Sequence, residues 1–163
     1  MRQVNKATVE DIPLIRQLTF NIWPHTYGNI ISKAQIEYML EMMYAPTVLQ
    51  KQLEEDGHTF IIIYEDAEAV GFAGYNEIEP QKWKLNKIYI LSSQQGKGTG
   101  KFIINYIVEE IKAKHAKALQ LQVNRENKAK DFYEKLGFKI IKTANFDIGN
   151  GYFMNDYVME LSL

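Results

Sequence analysis

No cysteine occurs among the 163 residues, which excludes disulfides, a thiolate nucleophile and any metal site built on cysteine. No stretch approaches the roughly 20 apolar residues of a membrane span. The first ten residues are polar and lack the apolar centre of a signal peptide. An excess of charge is missing too: 19 basic residues face 20 acidic ones, which speaks against a general nucleic-acid surface. Histidine is sparse, and His25, His58 and His115 show no metal-ligand spacing, so no metal is expected. Linkers, repeats and low-complexity tracts are absent. These absences leave a cytoplasmic protein with no membrane or nucleic-acid partner as the expectation.

What is present suits one globular domain over residues 1–163: 46% of the residues are hydrophobic and 12% aromatic. Val4 begins an edge strand. Thr8, Asp11 and Pro13 open a first helix along Ile12, Ile15, Leu18, Phe20 and Ile22. Ser32-x-x-Gln35 resembles a capping box before a second helix, and Pro46 introduces a third over Thr47 to Glu55. These helices suit either a substrate wall or plain core packing. Strands follow at His58 to Tyr64, Val70 to Tyr75 and Trp83 to Leu91. A helical stripe runs from Phe102 to Ile111, a strand from Ala118 to Val123, and a helix from Asn127 to Leu136, stopped by Gly137. His115 suits the cap of the first of these helices. Strands Phe138 to Ile141 and Tyr152 to Leu161 flank the turn Gly149-Asn150-Gly151. The order is α+β with one sheet.

The segment Gln95-Gly96-Lys97-Gly98-Thr99-Gly100-Lys101 lies between a strand and a helix. Helix N-termini carry unpaired N–H groups and partial positive charge, so this order suits a phosphate. A P-loop needs four residues before its Gly-Lys and a Ser or Thr after it; here three intervene and Phe102 follows. A dinucleotide fingerprint has G-x-G-x-x-G in the first βα unit, whereas this G-x-G-x-G comes late. Both fail on spacing. Glycines that merely make a tight turn are the alternative.

With Gln95-x-x-Gly98-x-Gly100 after its fourth strand and Ala129-x-x-Phe132-Tyr133-Glu134-Lys135-Leu136-Gly137-Phe138 downstream, the chain closely resembles the GNAT family of acyl-CoA-dependent N-acetyltransferases. The resemblance covers nearly the whole chain. It implies a mixed, mostly antiparallel, splayed central sheet flanked by helices, with acetyl-CoA as cosubstrate between the fourth and fifth strands. Gln95, Gly96, Lys97, Gly98, Thr99, Gly100 and Lys101 would wrap its pyrophosphate. Backbone groups of Ile88, Tyr89 and Ile90 would pair with the pantetheine arm, and Asn124 or Asn127 would touch it beyond the thiol. Tyr133 would protonate the departing thiolate, its alternative being an aromatic packed beside Phe132 and Phe138.

Two departures stand out. The fourth strand carries no acid where many relatives place a base, so Glu77 and Glu79 become candidates through water, or are merely exposed loop acids. Asn127 precedes Ala129 by only two residues, which weakens its assignment. On the acceptor side the resemblance points to Trp23 and Tyr27, in a connection between the first two helices, and to Glu41, paired with Glu37 at i, i+4. Tyr152 and Asp156 would lie near the same site. The long N-terminal helical region is similar to the polyamine-acetylating branch. A polyamine or diamine is the expected small-molecule amine; a peptide α-amine, an aminoglycoside or an amino acid stay open, as do a non-catalytic acyl-CoA sensor and a homodimer.

Overall fold

A computed structural model describes residues 1–163. Seven strands form one sheet: β1 (Arg2–Lys6), β2 (Thr59–Glu65), β3 (Glu68–Glu79), β4 (Lys82–Ile90), β5 (Ala118–Asn124), β6 (Lys139–Gly149) and β7 (Tyr152–Ser162). The helices are α1 (Ile12–Tyr27), α2 (Lys33–Tyr44), α3 (Pro46–Glu54), α4 (Thr99–Lys112) and α5 (Ala129–Lys135). The sheet order is β1-β2-β3-β4-β5-β7-β6, and every neighbouring pair is antiparallel except β4 with β5. No helix is long and apolar enough to cross a membrane.

Helices cover both faces. On one side α4 and α5 bury Ile103, Ile107, Ile111 and Tyr133 against Trp83, Leu85, Leu119 and Leu121. On the other, α1 to α3 bury Ile15, Trp23, Met39 and Leu49 against Phe60, Ile62 and Phe72. Burial on both faces explains why Phe60 to Ile63 is an unbroken apolar run, while β5 alternates Leu119, Leu121 and Val123 inward. Each such side chain contributes about 1.5–3 kcal/mol when fully buried.

Local signals explain several boundaries. Thr8 accepts from the Glu10 amide, and Asp11 accepts from the Thr8 amide, capping a 3₁₀ turn at Val9–Asp11 that feeds α1. Ser32 accepts from the Gln35 amide, but Gln35 does not reach back to complete the expected box. Its Nε2 donates instead to the Phe153 carbonyl at 2.8 Å, and the Tyr38 hydroxyl donates to the Ile148 carbonyl at 2.6 Å. Helix α2 therefore holds the β6–β7 hairpin. That hairpin is longer than expected, since β6 reaches Gly149 rather than ending at Ile141. Most of β6 is exposed, as suits an edge strand, although Ala144, Phe146 and Ile148 alternate with exposed residues in its outer half, a strand signal that the turn at Gly149 masked. The segment Trp23 to Tyr27 is not a connection but the last turn of α1, continued past Pro24.

A bulge in β4 decides which side chains face which layer. Gly74 pairs with Lys87 and Tyr75 with Leu85, leaving Asn86 as an extra residue, tied by its Nδ2 to Asn76 Oδ1 at 2.7 Å. A one-residue slip swaps the faces of everything beyond it. Trp83 and Leu85 thus face α4, whereas Lys87 and Tyr89 face α1 to α3.

Candidate active site

Strands β4 and β5 pair only from Lys82 to Leu85 and from Ala118 to Leu121. Beyond Leu85 they part, and the β5-facing edge of β4 through Ile88, Tyr89 and Ile90 has no ladder partner. An amide-bearing chain can add to such an edge by strand-like hydrogen bonds. The parting strands open onto both helical layers, so one cleft runs through the sheet.

At one end of the cleft lies the glycine turn. Gly96 and Gly98 hold left-handed φ of 78° and 75°, and Gly98 forms the N-cap of α4. The amides of Gly96, Gly98, Thr99, Gly100 and Lys101 donate to no backbone carbonyl, and the α4 dipole adds positive character there. Gln94 and Thr99 are buried and joined by a 3.2 Å hydrogen bond that pins the turn from below. Gln95, Lys97 and Lys101 are exposed. Arg2 of β1 donates to the Lys97 carbonyl and sits 5.4 Å from the Phe102 ring centroid. Nothing in the sequence signalled Arg2, because its place beside the turn depends on β1 lying at the sheet edge. A Cβ on Gly100 would come within 3.0 Å of the Phe132 ring and 3.6 Å of Ile90, so this glycine lets α5 close on α4.

At the other end, between β4, β5, β7 and helices α1 to α3, is a cavity of about 260 Å³. Trp23, Tyr27 and Tyr89 form its aromatic wall, with the Tyr27 and Tyr89 hydroxyls 3.0 Å apart. Burial raises the Tyr27 phenol to about 12 and Tyr89 well above its ordinary value. Asp156 of β7 faces the cavity and is 3% exposed, and its carboxylate accepts no hydrogen bond from a protein group. Burial lifts its carboxyl to about 6, against the opposing pull of Arg125 and Lys84. Lys84 and Lys87 line the same space.

The family description "Acetyltransferase (GNAT) domain" matches residues 29–161. The chain belongs to the GNAT acetyltransferase family. It is similar to a spermidine N(1)-acetyltransferase of Thermoplasma acidophilum, 25% identical over 150 residues and covering 89% of this chain and 92% of that one. A [ribosomal protein bS18]-alanine N-acetyltransferase of Haemophilus influenzae is 33% identical over 76 residues, covering 47% of this chain and 51% of that one. The PaiA N-acetyltransferase of Thermoplasma acidophilum, solved in complex with coenzyme A, shares the fold. Its TM-score is 0.85 at 23% identity, covering 100% of this chain and 99% of that one. The protein is therefore an acyl-CoA-dependent transferase with the splayed GNAT sheet.

In this GNAT chain Tyr133 of α5 is buried on the α4 side, its ring 5.7 Å from that of Phe138. Burial holds its phenol well above the ordinary value, with a further push from Tyr27 across the cleft. Asn124 lines the cavity and accepts from the Glu126 amide at 2.9 Å; Asn127 accepts from the Ala129 amide at 2.9 Å in the turn that leads into α5. Tyr133 and Asn127 do not line the cavity, and Glu77, Glu41 and Tyr152 also fall outside its wall. Glu77 is exposed at the β3–β4 turn, where it accepts from the Gln81 amide at 3.1 Å. The hairpin extends four residues past Tyr75, carrying this acid away from the cleft. Glu41 faces solvent with Glu37, because α2 buries Ile36 and Met39 instead. Tyr152 packs on Tyr38, centroids 5.3 Å apart, in the hairpin anchor. The acid that does face the cavity is Asp156, which the family resemblance places near the acceptor site without assigning it a role.

Proposed function

We propose that the protein moves the acetyl group of acetyl-CoA to the primary amine of a small molecule by direct attack within a ternary complex. The observation that carries this reading is the split between β4 and β5, with free helix-terminal amides on the α4 side of the sheet and an acid-bearing cavity on the α1 to α3 side. The residues present fit acetyl-CoA: Gly96, Gly98, Thr99, Gly100 and Lys101 offer unpaired amides to a pyrophosphate without needing a magnesium ligand. The open edge of β4 at Ile88 to Ile90 offers ladder groups to the amides of the pantetheine arm. Bound there, acetyl-CoA supplies the acyl thioester.

Asp156 is the base in this reading. An ammonium of ordinary pKa about 10.4 must lose a proton before it attacks, and a carboxylate raised to about 6 is a better acceptor than an exposed one while still ionised at neutral pH. Tyr133 is the acid. Its phenol is fully protonated at neutral pH and gives its proton to the departing sulfur as the carbon–sulfur bond breaks. Burial raises phenol and thiol alike, so the transfer is between groups that share one dry environment. The second nitrogen proton, lost as the amide forms, restores the phenol through solvent. Trp23 and Tyr27 wall the amine, and their ring faces suit an alkyl-ammonium group.

Incubation with acetyl-CoA and a panel of amines, following free thiol and the acetylated product, tests this. Thiol release matched by N-acetylated amine is expected. Binding of CoA with no turnover on any amine would point instead to an acyl-CoA sensor. The Thermoplasma relative's name puts spermidine in that panel.

A further inference from the structure

The acceptor cavity is lined by Lys84 and Lys87 on β4, and Asp156 is the one carboxylate among its lining residues. Lys87 is 8% exposed, yet no carboxylate lies within 4.0 Å of it or of Lys84. The polar contacts of the two ammonium groups are neutral: Lys87 Nζ donates to Gln52 Oε1 at 3.0 Å, and Lys84 Nζ to Gln122 Oε1 at 2.7 Å. Lys87 also lies over the rings of Tyr44 and Phe60, at 5.3 and 5.5 Å. A buried cation held only by carbonyl oxygens and ring faces is incompletely compensated, and an anion is what completes it.

Its presence in the cavity is not forced by strand geometry. Without the Asn86 bulge, position 87 would face α4; the bulge turns the ammonium into the acceptor layer. The acids that a polycation would need, Glu37 and Glu41, face solvent on α2. The cavity thus pairs one carboxylate on the β7 side of the split with two ammonium groups on the β4 side.

We infer that the acceptor is a small amino-carboxylate, whose amine meets Asp156 and whose anionic group is held by Lys87 with support from Lys84. This rests on the acetyltransferase reading above and names the substrate class of that same site. Excess positive charge on the acceptor is repelled by these lysines, so a diamine of equal length is a poorer fit. Desolvation lowers both lysines from their ordinary values; Asp156 opposes this at Lys84, whereas no carboxylate does so at Lys87, as expected for an ammonium group awaiting a counterion.

The experiment compares three acceptors of one length, 4-aminobutyrate, butylamine and 1,4-diaminobutane, in thiol release. Thermal shift of the CoA-saturated protein with each gives a readout independent of turnover. For wild type, kcat/KM is expected to be at least tenfold higher for the amino-carboxylate than for the diamine, with the larger thermal shift. Lys87→Met and the second variant Lys87→Gln should remove that preference, mainly through KM for the amino-carboxylate. Valerate, which has no amine, should compete with butylamine in wild type and not in either variant. A diamine preferred by wild type, or a preference unchanged in both variants, would overturn the inference and leave acetyl transfer intact. Absence of turnover on every amine would instead count against the transferase reading, and the thermal shifts would still decide the charge preference.

Discussion

Burial of Lys87 costs the fold stability, because its ammonium has exchanged water for one carbonyl oxygen and two ring faces. Its value falls from 10.5 to about 8, so between these pH values the unfolded chain binds the extra proton. The penalty is therefore full below pH 8 and fades as pH rises towards 10.5. Lys87→Met should raise stability at pH 7 by about 2 kcal/mol, with the gain nearly gone at pH 10, checked by denaturant melts at both values. Asp156 sets the opposite flank of the site. As the proposed base it must be ionised, so kcat/KM should fall as pH drops through about 6. Asp156→Asn should flatten that limb and lower the plateau about 100-fold; an unchanged acid limb would assign the base elsewhere. Tyr133→Phe should lower kcat by a similar factor of about 100 with little change in acetyl-CoA affinity.

The turn before α4 and the bulge in β4 are the two local devices on which the site depends. Gly98 holds φ 75° with its Cα facing open space, where a methyl group would meet Arg2 only at 4.0 Å. Gly98→Ala therefore acts through backbone strain of about 1 kcal/mol rather than through a clash. Measured by steady-state kinetics, it should raise KM for acetyl-CoA several-fold and leave kcat within a factor of two. Arg2→Ala, which frees the Lys97 carbonyl, should shift the same parameter in the same direction. A fall in kcat with unchanged KM would place either residue nearer the chemistry than the turn allows.

Across the whole molecule, the sheet divides α4 and α5 from α1 to α3, the donor and acceptor sides of the proposed reaction, and its split between β4 and β5 lies between the two layers. Element order was legible because the buried strands and α4 carry strong periodicity, and the glycine turn because its spacing is physical. The acceptor side was far less so. Asp156 and Lys87 come to line one cavity only after β7 returns beside β5 and a bulge reverses the face of β4, and neither event has a local signature. Glu77 and Glu41 carry the right charge, but strand extension and helix phase turn them to solvent. With no cysteine in the chain, the thiolate route to an acyl-enzyme is closed, and direct attack is the central claim. A single turnover with equimolar protein and acetyl-CoA, read by thiol titration and by mass spectrometry of protein and amine, tests it most directly. The expected result is no thiol before the amine is added, then one equivalent of thiol with one of N-acetylated amine. A burst of thiol without amine, accompanied by acetylated protein that the amine then discharges, would contradict it.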